Sequence, residues 1–325
     1  MKSFHVGFQE FQLQDSVRGR ELDGVVWYPI DTHTKMDTIR TSPLFRSFSA
    51  KRNAPLAKGP KSFPLLLLSH GNAGLAIRFD WLGASFAEKG WIVAAIDHPG
   101  NTALDNTPEG IYRVWDRAYD ITFLLDELLL RSKWASHINR NQIAVAGHSA
   151  GGTTALLLAG ARMSKQLFSN PTPHCPKDIP YVTEECEQVA QVDLHQFTKR
   201  EIEMSYRDAR INAVIALDPG FAKSFNPKTT NTVKTPLLFL LADHLKWPNT
   251  GIFTEEFRKL FPQANFSTPK NSVHISFLSA CNEKNPRSHN APICIGDTDR
   301  PKLHQEINQN INTFLRRHGF GWHSE

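Results

Sequence analysis

Long hydrophobic runs are missing from this chain of 325 residues. Its apolar runs, such as residues 65–68 and 237–242, are far too short to cross a bilayer and suit buried strands instead, so no integral membrane anchor is expected. The first ten residues carry Lys2, His5 and Glu10 and no continuous apolar stretch, so no cleavable export signal is visible and a cytoplasmic protein is the default expectation. Cysteine is scarce, with four residues, and the absence of a Cys-x-x-Cys spacing argues against zinc. Cys175 with Cys186 and Cys281 with Cys294 form two local pairs whose spacing permits short-loop disulfides, although a reducing cytosol would keep them as thiols. Charged residues make up 21% and hydrophobic residues 40%, a balance that excludes a disordered or membrane-embedded chain. The formal charge of +5 comes from scattered basic residues rather than a basic stripe interleaved with aromatics, so no nucleic-acid partner is expected. Nothing in the sequence bears on oligomeric state.

What the chain does contain is alternation. Residues 6–13 and 24–28 alternate apolar and polar side chains and read as two antiparallel strands, with Pro29 as a stop. Residues 31–63, which include Arg40, Arg46, Lys51, Arg52, Lys58 and Lys61, form either a solvated linker or a flap over a site. Strand and helix patterns then alternate, the signature of a mainly parallel, doubly wound α/β sheet with helices on both faces. Strands are expected at 64–69, 91–97, 142–146, 211–217, 236–242 and 263–267, and helices at 79–89, 111–134, 150–163 and 304–317. Residues 164–210 interrupt the pattern with Pro171, Pro173, Pro176 and Pro180 and then a charged helical stretch. They are read as a cap insertion within a single domain spanning 1–325.

The sharpest motif is Gly147-His-Ser-Ala-Gly-Gly152, a G-x-S-x-G string between an expected strand and an expected helix. A serine held up on so tight a turn needs small neighbours, because a side chain at either glycine would meet adjacent backbone. Ser149 is therefore the candidate nucleophile. An alcohol is a weak nucleophile and requires a base, and the base an orienting acid. His274, in Asn271-Ser-Val-His274 after the last short strand, is the candidate base and outranks His244, His289 and His304 on its position in the strand order. Two acids compete: Asp218 ends one strand and Asp243 the next, and the commonest layout of such sheets takes the acid after the later strand, Asp243. Two backbone amides should receive the developing oxyanion. They are that of Ala150, after the nucleophile, and that of Asn72, in Ser69-His-Gly-Asn-Ala-Gly74. The turn Asp97-His-Pro-Gly-Asn-Thr102 is read as a structural turn beside that loop.

The segments Val25-Val-Trp-Tyr-Pro29, Leu68-Ser-His-Gly-Asn72, Asp97-His-Pro-Gly-Asn-Thr102, Gly147-His-Ser-Ala-Gly-Gly152, Ala216-Leu-Asp-Pro219 and Ser272-Val-His274 together resemble the bacterial proteins labelled predicted dienelactone hydrolases and, more distantly, platelet-activating-factor acetylhydrolase. The likeness covers nearly the whole chain and implies the α/β-hydrolase fold with a helical cap. It also implies Asp218 as the acid, Asn72 and Ala150 as oxyanion donors, and, since many relatives are exported, disulfide-bonded cysteines. Dienelactone hydrolases use cysteine where this elbow carries Ser149, so carboxylic esters or short-acyl lipids are the expected substrates, without metal or organic cofactor. Within enzymes, the alternative is a phospholipase A2-like acetylhydrolase whose phosphate would meet the basic residues between Arg40 and Lys61. Outside them, it is a catalytically silent binding protein, against which stands a candidate residue for every role.

Overall fold

The computed structural model describes residues 4–58, 61–169, 192–243, 252–294 and 299–321. Among these residues ten strands form one sheet: β1 (His5–Asp15), β2 (Arg20–Ile30), β3 (Asp37–Ile39), β4 (Phe48–Arg52), β5 (Phe63–Ser69), β6 (Ile92–Ile96), β7 (Ile138–His148), β8 (Ala213–Leu217), β9 (Leu237–Leu240) and β10 (Asn265–Ser267), in the order β10-β9-β8-β7-β5-β6-β2-β1-β4-β3. From β10 to β6 every neighbouring pair is parallel, and β2 then runs antiparallel to both β6 and β1.

The paired stretches at the centre of the sheet, residues 65–68, 92–96, 143–146, 213–217 and 237–240, are apolar at every position because both faces are covered. On one face Leu65, Leu67, Ile143, Val145, Val214 and Ala216 pack under α2 (Val114–Leu130) and α3 (Ala150–Leu158). Their chain neighbours Leu66, Leu68, Ala144, Ala146, Ile215 and Leu217 point the other way, toward α1 (Asp80–Ala87) and α5 (Arg300–Arg317). A further helix, α4 (Ile252–Leu260), brings Phe257 against Phe239 of β9. Among the described residues no helix is long and apolar enough to cross a membrane.

Three expectations need correction. Residues 31–63 are not a solvated linker, since they contribute β3 and β4 at the sheet edge. Ile39, Phe45, Ala50 and Ala54 are buried, and the Arg46 N–H donates to the Ala280 carbonyl at 2.8 Å, so apolar burial and backbone pairing fix a segment whose overall polarity suggested a loop. The helix expected over 111–134 breaks at Arg113, whose ψ of 53° ends the turn Pro108–Tyr112 before α2 begins. Pro29 does not stop β2, which continues to Ile30 with Pro29 opposite Val6.

Of the interval 164–210, residues 170–191 lie outside the described residues, and with them the four prolines, Cys175 and Cys186. The described flanks are well packed: Phe168 and Phe197 are buried against Trp115 of α2. A helix at Lys199–Glu203 is closed by a capping box between Thr198 and Glu201. Cys281 and Cys294 are joined by a disulfide.

Candidate active site

Strand register gathers the site. Ser69 of β5 is level with Gly147 of β7, His148 with Leu217 of β8, and Leu217 with Leu240 of β9. The residues just beyond these positions therefore emerge along one edge of the sheet: the loop 70–74, Ser149, Asp218 and the segment 241–243. The Ser149 N–H donates to the Leu217 carbonyl at 3.0 Å, and the Gly220 N–H donates to the Ser149 carbonyl at 3.0 Å, which ties the two loops together.

Ser149 has φ 55° and ψ −120°, a strained conformation for a residue with a side chain, and it stands directly at the N-terminus of α3. Its glycine neighbours are required by contact. A Cβ on Gly147 would run into the Gly151 carbonyl, and one on Gly151 into the Ser69 carbonyl. Strain concentrates here: the left-handed non-glycine residues include Ala73, Ser149, Asp218, Phe221 and Asn271, all in loops at this edge.

His274 opens a short 3-10 turn, His274–Phe277, and is partly exposed. Its Nδ1 donates to Asp218 Oδ2 at 2.6 Å. The other oxygen of the buried Asp218, Oδ1, accepts from the Ala242 N–H at 3.0 Å. Asp243 instead shapes the loop leading to His274, because its Oδ2 accepts the Asn271 N–H at 2.9 Å and its own N–H donates to Ser272 Oγ at 2.9 Å. Of the other histidines, His304 is buried, stacked on Trp81 at 4.0 Å and donating to the Ser276 carbonyl, while His244 and the side chain of His289 lie outside what is described.

The loop bearing Asn72 borders Ser149, since a Cβ on Gly71 would sit 3.1 Å from the Ser149 Cβ. Thr102 forms an isolated bridge with Gly74, and the Ala103 N–H donates to the Gly74 carbonyl at 3.1 Å, so the turn 97–102 packs beside this loop as expected.

Several polar residues around the site escaped the sequence reading. His148, inside the motif, is buried; its Nε2 donates to the His274 carbonyl at 2.8 Å, and burial together with the charge of His274 pushes its pKa down to about 3. Below the Asn72 loop, Ser69 Oγ lies 2.9 Å from His98 Nε2, and His98 Nδ1 donates to Asp120 Oδ2 at 3.0 Å. This has the composition of a hydrolytic triad, but all three residues are sealed from solvent, so it is a structural tie. Burial and the neighbouring Arg117 charge lower the His98 pKa to about 4 against the pull of Asp120. Burial alone would raise the Asp120 pKa, yet hydrogen bonds from His98 and a bidentate Arg20 hold it well below the usual carboxylate range, with Arg18 adding a contact at 2.8 Å. A charged residue on the apolar stripe of α2, where Arg117 and Asp120 alternate with Val114, Ala118, Ile121 and Leu124, was the available signal. Among the described residues no group of three or more His, Cys, Asp or Glu could hold a metal ion.

Three comparisons bear on this geometry. Over 97% of this chain and 90% of the other, the fold matches a ferulic acid esterase from Streptomyces cinnamoneus, with a TM-score of 0.65 and 19% identity. The sequence is 31% identical over 223 residues to the cutinase est2 of Thermobifida alba, covering 62% of this chain and 70% of that protein. The family model described as serine aminopeptidase S33 matches residues 60–231, the stretch from β5 through the nucleophile elbow and past Asp218. The chain thus belongs to the serine aminopeptidase S33 family and has the α/β-hydrolase fold.

Proposed function

We propose that Ser149, His274 and Asp218 are the nucleophile, general base and orienting acid of this serine ester hydrolase. The observation that carries the reading is the 2.6 Å hydrogen bond from His274 Nδ1 to Asp218, together with a serine strained at a helix N-terminus whose N–H donates to the carbonyl of Leu217, the residue before that aspartate. That bond leaves His274 Nε2 as the proton acceptor. Ser149 Oγ adds to the ester carbonyl while its proton passes to Nε2, and the imidazolium returns that proton to the departing alcohol. Water, deprotonated by the same nitrogen, then displaces the acyl group as a carboxylic acid and restores the serine. The amides of Ala150 and Asn72 receive the oxyanion in both steps.

The substrates we assign are carboxylic esters, a class supported by the names of the two relatives, a cutinase and a ferulic acid esterase. A finer kinship to the dienelactone-hydrolase-like and acetylhydrolase group is supported by Ala216-Leu-Asp218, whose carboxylate meets His274. Phosphate recognition by the basic segment has weaker support, because Arg46, Lys51 and Arg52 already pair with Glu283, Asp37 and Glu10. We take the whole chain as one domain with 164–210 as its cap. One continuous sheet supports the domain, and the contact of Phe168 with Phe221, three residues past Asp218, supports the cap. Of a reducing and an oxidising compartment, the Cys281–Cys294 disulfide favours the second.

The experiment is labelling with a fluorophosphonate probe. Wild type should be labelled stoichiometrically and Ser149→Ala not at all, with loss of p-nitrophenyl butyrate turnover in parallel. Labelling of a folded Ser149→Ala protein at the wild-type rate refutes the assignment.

A further inference from the structure

The guanidinium of Arg117 is buried beneath the loop 70–74, with the residue 1% exposed. Nη1 donates to the His70 carbonyl at 2.6 Å and Nη2 to the Gly71 carbonyl at 3.3 Å, while Asn101 Oδ1 accepts from Nη2. The Gly71 carbonyl also accepts from His70 Nδ1 at 2.7 Å and from the Gly74 N–H at 3.1 Å. This carbonyl therefore collects donors from three residues, one of them a cation.

The Gly71 carbonyl and the Asn72 N–H belong to the same peptide group. A trans peptide is planar, with its oxygen and its hydrogen on opposite sides, so holding the oxygen also sets the direction of the N–H. Donors on the oxygen, above all a charged one, draw electron density from the amide nitrogen and make its N–H a stronger donor in turn. The loop needs outside restraint, because Ala73, the next residue, has φ 47° and would relax if released. His70 cannot replace the cation. Burial and the charges of His98 and Arg117 push its pKa well below the usual value, so it acts as a neutral donor.

We propose that Arg117 is a positioning residue for ester cleavage, which aims and polarises the Asn72 amide toward the oxyanion from behind. The inference rests on the reading of Ser149 and the Asn72 amide given above. Arg117 touches no reacting atom, so its effect should fall on turnover rather than on substrate binding.

The test compares Arg117→Lys and Arg117→Met with wild type and Ser149→Ala, using p-nitrophenyl butyrate and its thionoester analogue. A thiocarbonyl sulfur is larger than oxygen and a poorer acceptor, so an aimed pair of amides favours the oxygen ester. Both Arg117 variants should lose roughly tenfold to a hundredfold in kcat with KM within about twofold, since one donor is misdirected rather than deleted. The ratio of oxygen-ester to thionoester turnover should fall with kcat. Should Arg117→Met fail to fold, Asn101→Ala, which removes the side-chain acceptor on the guanidinium together with the Asn101 hydrogen bond to Asn106, is read by the same ratio. An unchanged kcat, or an equal loss on both esters, overturns the role of Arg117 while leaving Ser149 intact. Turnover that survives in Ser149→Ala overturns the underlying reading instead.

Discussion

The ring of His148 lies against that of His274, with centroids 4.5 Å apart and the planes tilted by 42°, and its Nε2–H is held by the carbonyl of the same residue. The residue preceding the candidate nucleophile thus fixes both the backbone and the ring of the candidate base. Neutrality is essential to this contact, since a charged His148 would repel an imidazolium forming on His274.

That neutrality has a signature in stability. Folded His148 takes up a proton only near pH 3, whereas an unfolded histidine does so near about 6.5. Between those values the unfolded chain binds more protons, so stability rises with pH and is lost as the pH falls through the window. Replacing His148 with glutamine, whose amide can still donate to the His274 carbonyl, removes one such proton. The slope of unfolding free energy against pH, measured by urea denaturation from about pH 5.5 to 4, should drop by about 1.4 kcal/mol per pH unit. Identical slopes in the two proteins would mean that His148 titrates normally.

The two carboxylates should separate cleanly in kinetics. Asp218→Asn removes the acceptor that sets the His274 tautomer, and kcat should fall by about ten-thousandfold with little change in KM. Asp243→Asn disturbs only the turn at Asn271, and the loss should stay within about tenfold. A larger loss from Asp243→Asn than from Asp218→Asn, in folded proteins, would reverse the assignment.

Asp120 joins Arg18 and Arg20 from the β1–β2 hairpin to His98 on the far side of β6. Asp120→Asn leaves Arg20 and Arg18 facing a neutral amide in a buried setting, which should cost about 3 kcal/mol of stability in a denaturant titration. A loss below about 1 kcal/mol would show that the cluster contributes little beyond packing.

The Cys281–Cys294 bridge spans a sequence separation of 13 residues shortly after His274. Changing both cysteines to serine restores the freedom of this loop in the unfolded chain and should destabilise the protein by about 2–3 kcal/mol, read as a lower melting temperature. A melting temperature equal to that of wild type would mean that the segment is held by its other contacts, such as those of Arg300 with the Ser279 and Ile293 carbonyls.

The central sheet was legible in the sequence because its innermost strand stretches are apolar without interruption, and the elbow because no side chain fits at Gly147 or Gly151. The edge strands β3 and β4 were not, since just a few apolar residues, Ile39, Phe45 and Ala50, hold a segment that is otherwise polar. The choice between Asp218 and Asp243 could not be made from spacing, as both end consecutive strands; it depends on which loop His274 turns toward. The Arg117 and His98 contacts join β5, β6 and α2, and no local pattern announces such a meeting. The exception is that a charge on an apolar helical stripe must be answered by something buried.

The salt-linked hairpin has a last consequence. Residues 60–231 carry the family likeness, yet Arg18 and Arg20, which neutralise Asp120, come from before that stretch. Gly83 of α1 likewise packs so closely on Trp27 of β2 that a methyl there would strike the indole. A polypeptide trimmed to the shared portion would expose an orphaned anion and a bare hydrophobic wall, so the smallest piece able to stand alone is larger than the piece that kinship defines.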